Sequence, residues 1–264
     1  MKKILTTAIL CAGLVGFTAC DSFLDEDPKS SLTLDTYYKT SADIIGNVNY
    51  LYRDGAPDKM GNMTGAYRGS SLSVMNMVTG YFVNEYEGQE VDCSYARQLT
   101  RQDFTQSCCN YLTNDTWKSC YKSINVANAV IKYVDGVEMD NQAQYKAEAR
   151  FFRALNYFYL VKMFGDVPMV TEPTEDATLV EYPTRTAASE VFNTVIIPDL
   201  QFAVENLPNA TFAGNSHRVT KYAADMLLAD VYMRLGEYAN AVTPLKDVIN
   251  SGKFALATND NLAE

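Results

Sequence analysis

Histidine and tryptophan are almost missing from this chain: His217 and Trp117 are the single examples in 264 residues. A histidine-based triad would have to use His217, and nothing in the sequence points to its partners. Zinc is poorly served, because the six cysteines form no C-x-x-C pair and one imidazole cannot complete a ligand set. There is no G-x-S-x-G elbow, no G-x-x-x-x-G-K-S/T phosphate loop, no G-x-G-x-x-G and no H-E-x-x-H. Cofactors and metals are therefore not expected. A two-carboxylate glycosidase has no local signature and stays open at this level. Basic residues are short too: 22 Lys and Arg face 32 Asp and Glu, a net charge of −10. That balance argues against nucleic acid and against an anionic lipid surface as partner.

Beyond the first twenty residues no stretch approaches the ~20 apolar residues of a membrane span. The beginning is different. Lys2 and Lys3 precede an apolar run from Ile4 to Phe17, and Phe17-Thr18-Ala19-Cys20 sets small residues before a cysteine. This reads as a secretory leader over residues 1–19. With the cysteine at the cleavage point it resembles a bacterial lipoprotein signal, which implies acylation of Cys20 as the mature N-terminus. Phe17 stands where such signals usually carry Leu. The plainer alternative is a secretory leader with an incidental cysteine. Losing Lys2 and Lys3 with the leader takes the charge from −10 to −12. Four cysteines then remain besides Cys20, namely Cys93, Cys108, Cys109 and Cys120. Disulfides from Cys108 or Cys109 to Cys93 or Cys120, or ordinary buried thiols, are both open.

Residues 20–35 read as an acidic tether with Pro28 opposing regular structure. The remainder, 36–264, reads as helical. A helix over Thr40–Leu51 places Ile44, Ile45, Val48 and Leu51 on one side. A short helix is expected near Leu72–Val78, inside a Gly- and Asn-rich loop. Tyr81–Asp103 shows no period. A helix capped by Asn114 or Asp115 should run to Val134, with Trp117, Tyr121, Ile124, Ala127, Asn128 and Ile131 as its stripe. Gln142–Phe164 follows, with Ala147, Phe151, Ala154, Leu155, Phe158 and Val161 on one face and Gly165 as its stop. Ala187–Asn206 carries Pro198, which should kink it. Lys221–Leu235 and Glu237–Asn250 make a hairpin turning at Gly236. Ala229, Tyr232, Gly236, Tyr238 and Ala241 have the spacing of a tetratricopeptide-like repeat, the alanines allowing close approach and the tyrosines filling gaps between pairs. The expected fold is all-α: tetratricopeptide-like helix pairs with long irregular loops.

Several segments carry a more specific likeness. E-A-R-F-F-R-A-L-N-Y-F-Y-L-V-K-M-F-G-D-V-P (Glu148–Pro168), F-L-D-E-D-P soon after Cys20, W-K-S-C-Y-K-S-I-N-V-A-N (Trp117–Asn128) and the Arg185–Pro208 and Arg218–Ala241 segments occur in order. Together they resemble the SusD/RagB-type outer-membrane lipoproteins. The resemblance implies a non-catalytic cell-surface protein that captures glycan, or sometimes peptide. It would pass that cargo to a TonB-dependent, SusC-like transporter. It also implies that the chain corresponds to the N-terminal portion of a longer protein. Family ligand sites use loop aromatics whose positions vary, so contacts are sought among aromatics outside the helical stripes. Tyr81, Phe82, Asn84, Tyr86 and Tyr95 are the candidates, since flat rings suit sugar faces and the amide suits hydroxyls. Glu85, Glu87, Glu90 and Asp92 in the same loop lack calcium-loop spacing. Trp117 is read as packing, and His217 as a surface residue. An interaction scaffold that binds no nutrient is the main alternative, with a surface glycosidase third.

Labelled palmitate is expected to enter the wild-type chain in a lipoprotein-processing host, and Cys20→Ala should abolish the label. Equal labelling of both would sink the acylation of Cys20.

Overall fold

A computed structural model of the chain describes residues 33–53, 79–81, 101–102, 107–174 and 183–256, with 35 and 107–115 by backbone alone. Two units separate at Tyr37. In the first, residues 33–37 hold one helical turn, Leu34–Tyr37, closed by hydrogen bonds between Thr33 and Thr36. The second, from Tyr38 onward, is all-α, with tetratricopeptide-like helix pairs. Among its described residues no strand forms, only an isolated bridge between Val167 and Thr186.

The first helix, α1 (Ser41–Arg53), starts at a reciprocal cap. The Thr40 N–H and hydroxyl donate to Asp43 Oδ2 at 2.8 and 2.7 Å, and the Asp43 N–H returns to the Thr40 hydroxyl at 3.4 Å. Ile44, Val48 and Leu51 are fully buried, as their spacing predicts, and Ile45 is half-buried. Tyr38 stacks on Tyr133 at 5.2 Å.

α2 (Ser107–Tyr133) begins well before the expected cap. Asn114 and Asp115 lie within the helix. Their cost in a helix interior is only about 0.7 kcal/mol each relative to Ala, too little to force a start. A 3-10 turn, Val134–Gly136, ends the run. α3 (Gln142–Phe164) has the expected bounds, and Gly165 closes it at φ +70°. The expectation of a single buried face was too narrow. Glu148, Arg153, Asn156, Tyr157 and Leu160 are buried along with the predicted stripe, while Leu155 is only half-buried. α3 is enclosed because α1, α2 and the fourth helix all pack on it.

That fourth helix, α4, spans 188–206 in three parts: Ala188–Val191, a π-helical turn at Phe192–Ile196, and Ile197–Asn206. Pro198 does disturb it, but the irregularity precedes the proline. Pro198 has no N–H to donate, and its ring crowds the carbonyl four residues back, at Thr194. A widened turn there relieves both problems. α5 (Lys221–Arg234) packs on α4, and α6 (Tyr238–Asn250) packs back on α5 through a turn at Gly236, φ +76°. Ala229 and Ala241 are buried, in keeping with close approach. Tyr238 departs from expectation, being 69% exposed, while Tyr232 is half-buried. Lys221 joins the pair by bridging Asp225 of α5 and Asp247 of α6, each at 2.8 Å. Burial raises the Asp225 carboxyl above its ordinary value, with Lys221 pulling the other way.

The Thr40 hydroxyl and N–H hold the Asp43 carboxyl below its ordinary value of 3.8. A lowered folded value means that the ionised form favours the folded cap. This contribution is complete above the unfolded value and is lost as pH falls through the folded one. Amide shifts of Thr40 and Asp43, followed by NMR, should titrate below pH 3.8. Asp43→Asn should remove that step, and a step that persisted would contradict the cap.

Candidate functional site

Of the five loop residues expected to meet ligand, Tyr81 is described. It follows Gly80 (φ +78°) in a turn, its N–H reaches the Thr79 hydroxyl at 3.3 Å, and its side chain is 89% exposed. Phe82, Asn84, Tyr86 and Tyr95 lie outside the described residues, as do Cys20, Cys93, the Leu72–Val78 segment and the acidic loop residues. Cys120 is buried. Trp117 is half-buried, packed 5.0 Å from Tyr121 and 5.1 Å from Phe164, with the Arg185 guanidinium over its ring at 5.5 Å. His217 is exposed at φ +61°, edge-on to Phe212. Among the described residues no group of three His, Cys, Asp or Glu side chains gathers where a metal ion could be held.

An open pocket of about 490 Å³ lies where α1 meets the connection between α2 and α3. Ser41 and Ile45 line it from α1, and Glu138, Met139, Asp140 and Asn141 from the connection. Tyr145 of α3 completes the lining. Sequence patterns did not reveal it, because these residues fall in three separate segments without shared spacing. The connection is held in shape from within. The Gln142 amide donates to the Val134 and Val137 carbonyls at 2.7 and 3.0 Å, Val137 is buried, and Asn141 takes a left-handed conformation at φ +57°. The cap at Thr40 and Asp43 fixes the start of α1 on the other side.

Beneath Tyr145 sits a buried ionic cluster. Glu148 is fully buried, and the Arg218 Nε and Nη2 donate to its carboxylate at 3.0 and 2.5 Å. The Tyr52 hydroxyl and Gln144 amide donate to it at 2.9 and 3.0 Å. The Tyr52 oxygen also accepts the Val219 N–H at 2.9 Å, and Arg218 Nη1 donates to Asn49. The guanidinium lies 4.8 Å from the Tyr52 ring centre and 5.3 Å from that of Tyr145. Burial pushes the Tyr52 hydroxyl far above its ordinary value, and the Glu148 charge adds to the effect, so it stays a donor.

A second cluster fixes the other side of α3. Arg153 grips Asp199 of α4 with two parallel hydrogen bonds of 2.6 and 2.9 Å and donates to Asn128 of α2 at 2.9 Å. Burial raises the Asp199 carboxyl, and the Arg153 fork opposes that rise. The segment 167–174 is strapped along α2 and α3 by side chains. Tyr157 both donates to and accepts from Val170, Tyr121 donates to the Pro168 carbonyl, and Asn128 donates to the Val170 and Glu172 carbonyls. Burial pushes the Tyr157 hydroxyl up to about 12.

The helical fold has counterparts among known proteins. Residues 22–233 match the SusD-like family described as "Starch-binding associating with outer membrane". The chain belongs to the SusD-like family. SusD-like protein P2 of Formosa agariphila is 29% identical over 254 residues, 95% of this chain and 47% of that protein. A SusD superfamily crystal structure from Parabacteroides distasonis superposes with a TM-score of 0.66 at 26% identity, covering 81% of this chain and 45% of that one. A laminarin-binding SusD-like protein gives a TM-score of 0.65 at 24% identity, covering 80% and 44%, and so shares the fold. The SusD-like chain thus spans about half the length of the relatives it matches.

Arg218→Ala should cost about 3 kcal/mol, because it leaves the Glu148 carboxylate buried without its cation. Arg218→Lys should recover only part of the loss, since an ammonium cannot make the parallel fork. Urea unfolding midpoints test both, and an unchanged midpoint for Arg218→Ala would contradict the cluster's role.

Proposed function

We propose that this chain is the N-terminal portion of a cell-surface lipoprotein that binds glycan and delivers it to a SusC-like, TonB-dependent outer-membrane transporter. The match to the SusD-like family over residues 22–233 carries this reading. Cys20 is the acylated anchor at the outer membrane, facing the exterior. Residues 1–19 are the leader, 20–35 the tether and 36–264 part of the helical body. Tyr81, Phe82, Tyr86 and Tyr95 supply rings for sugar faces, and Asn84 hydrogen-bonds hydroxyls. The high exposure of Tyr81 supports that role, because a ring packed into the body could not stack on ligand. No catalytic residue is assigned. Capture works by several weak contacts, with avidity and closure against the transporter adding retention.

Affinity electrophoresis of the acylated chain against neutral glycans, starch and laminarin among them, tests the reading. Retardation by at least one is expected. Tyr81→Ala should weaken that binding about tenfold, equivalent to ~1.4 kcal/mol. Unaltered migration across the whole panel would remove glycan capture from this chain.

A further inference from the structure

We propose that the pocket between α1 and the α2–α3 connection is a separate carbohydrate subsite that takes an amine-bearing sugar. This rests on the glycan-binding reading and adds a charge preference to it. The pocket, about 490 Å³, falls within the ~300–1,000 Å³ range of small-ligand clefts. Its lining combines what a pyranose requires. Ile45, Met139 and the Tyr145 ring offer apolar surface to C–H faces, while the Ser41 hydroxyl and Asn141 amide offer donors and acceptors to hydroxyls. Both sides of the pocket are held by hydrogen bonds, the connection by Gln142 and the start of α1 by the Thr40–Asp43 cap. Such a lining is shaped before ligand arrives, which lowers the ordering cost of binding.

Charge selects within that class. Glu138 and Asp140 line the pocket, and no described cation pairs with either. Among the described lining residues there is no Lys or Arg. Arg218, whose guanidinium lies 5.3 Å from the Tyr145 ring centre, is committed to Glu148 and Asn49. Lys146, one residue beyond Tyr145, is engaged by Asp135. An ammonium group entering the pocket would meet two carboxylates with no described cation to displace. A sulfated or uronate sugar would meet the same carboxylates and the chain's net charge of −10 as repulsion.

The test compares glucosamine oligomers, their N-acetylated counterparts, neutral gluco-oligosaccharides and oligouronates, titrated calorimetrically into the full chain at low and high salt. Glucosamine oligomers should bind at least about tenfold more tightly than their N-acetylated counterparts at low salt, with most of the difference gone at 1 M salt, where screening reaches ~3 Å. The double substitution Glu138→Gln and Asp140→Asn should abolish the difference. Both residues are exposed, so the thermal midpoint of the variant should hold and serve as the folding control. Equal binding of the amine and N-acetyl series, or a preference that survives the double substitution, overturns the subsite while leaving neutral-glycan capture standing. Failure of every sugar to bind overturns the glycan reading and the subsite with it.

Discussion

The grip of Arg153 on Asp199 holds the arrangement of helices together. It joins α3 to α4 through two parallel hydrogen bonds, and its third nitrogen reaches Asn128 of α2. Three helices thus meet at one guanidinium, with Asp199 almost fully buried. Replacing such a pair by apolar groups of equal shape is often neutral, whereas losing one partner strands a charge. The pair therefore specifies position more than it adds stability. It sets the rotation of α4 about its axis, and the π turn before Pro198 allows the helix to continue so that Asp199, Leu200 and Ala203 all face inward.

Glu148 and Arg153 fall within one short run, E-A-R-F-F-R, and lie five residues apart. At 100° per residue they project about 140° from each other. One turns toward Arg218 and Tyr52, the other toward Asp199 and Asn128. A single helix thereby presents two charges of opposite sign to two different neighbours, and each neighbour supplies the complement. Between them, Phe152 packs edge-on to Tyr52 at 4.7 Å and to Phe151 at 5.5 Å. This run is the centre of the family likeness. In this chain Glu148 and Arg153 tie α3 to its neighbours.

Much of the fold could be read from the sequence because the breakers were unambiguous. Gly165 and Gly236 sit at positive φ, and helix ends fall beside them. The start of α2 was misplaced because Asn114 and Asp115 look like caps, and local cap preference is weaker than the tendency of a long helix to continue. The all-round burial of α3 escaped because its second face carries Glu148, Arg153 and Asn156, which a hydrophobic pattern counts as outward. Tyr238 misled in the opposite sense, since repeat spacing assigns it a gap that no described neighbour provides. The pocket was invisible for a different reason. It depends on the meeting of Ser41, residues 138–141 and Tyr145, and one-dimensional spacing does not encode such a meeting.

The Tyr52 oxygen accepts its hydrogen bond from Val219, and Asn49 accepts from Arg218. These contacts bind α1 to residues 167 and 169 positions downstream. A chain that emerges from its amino end must therefore leave α1 incompletely latched until the residues just before α5 have appeared. Until then α1 rests on its packing against α2 and α3 without that latch.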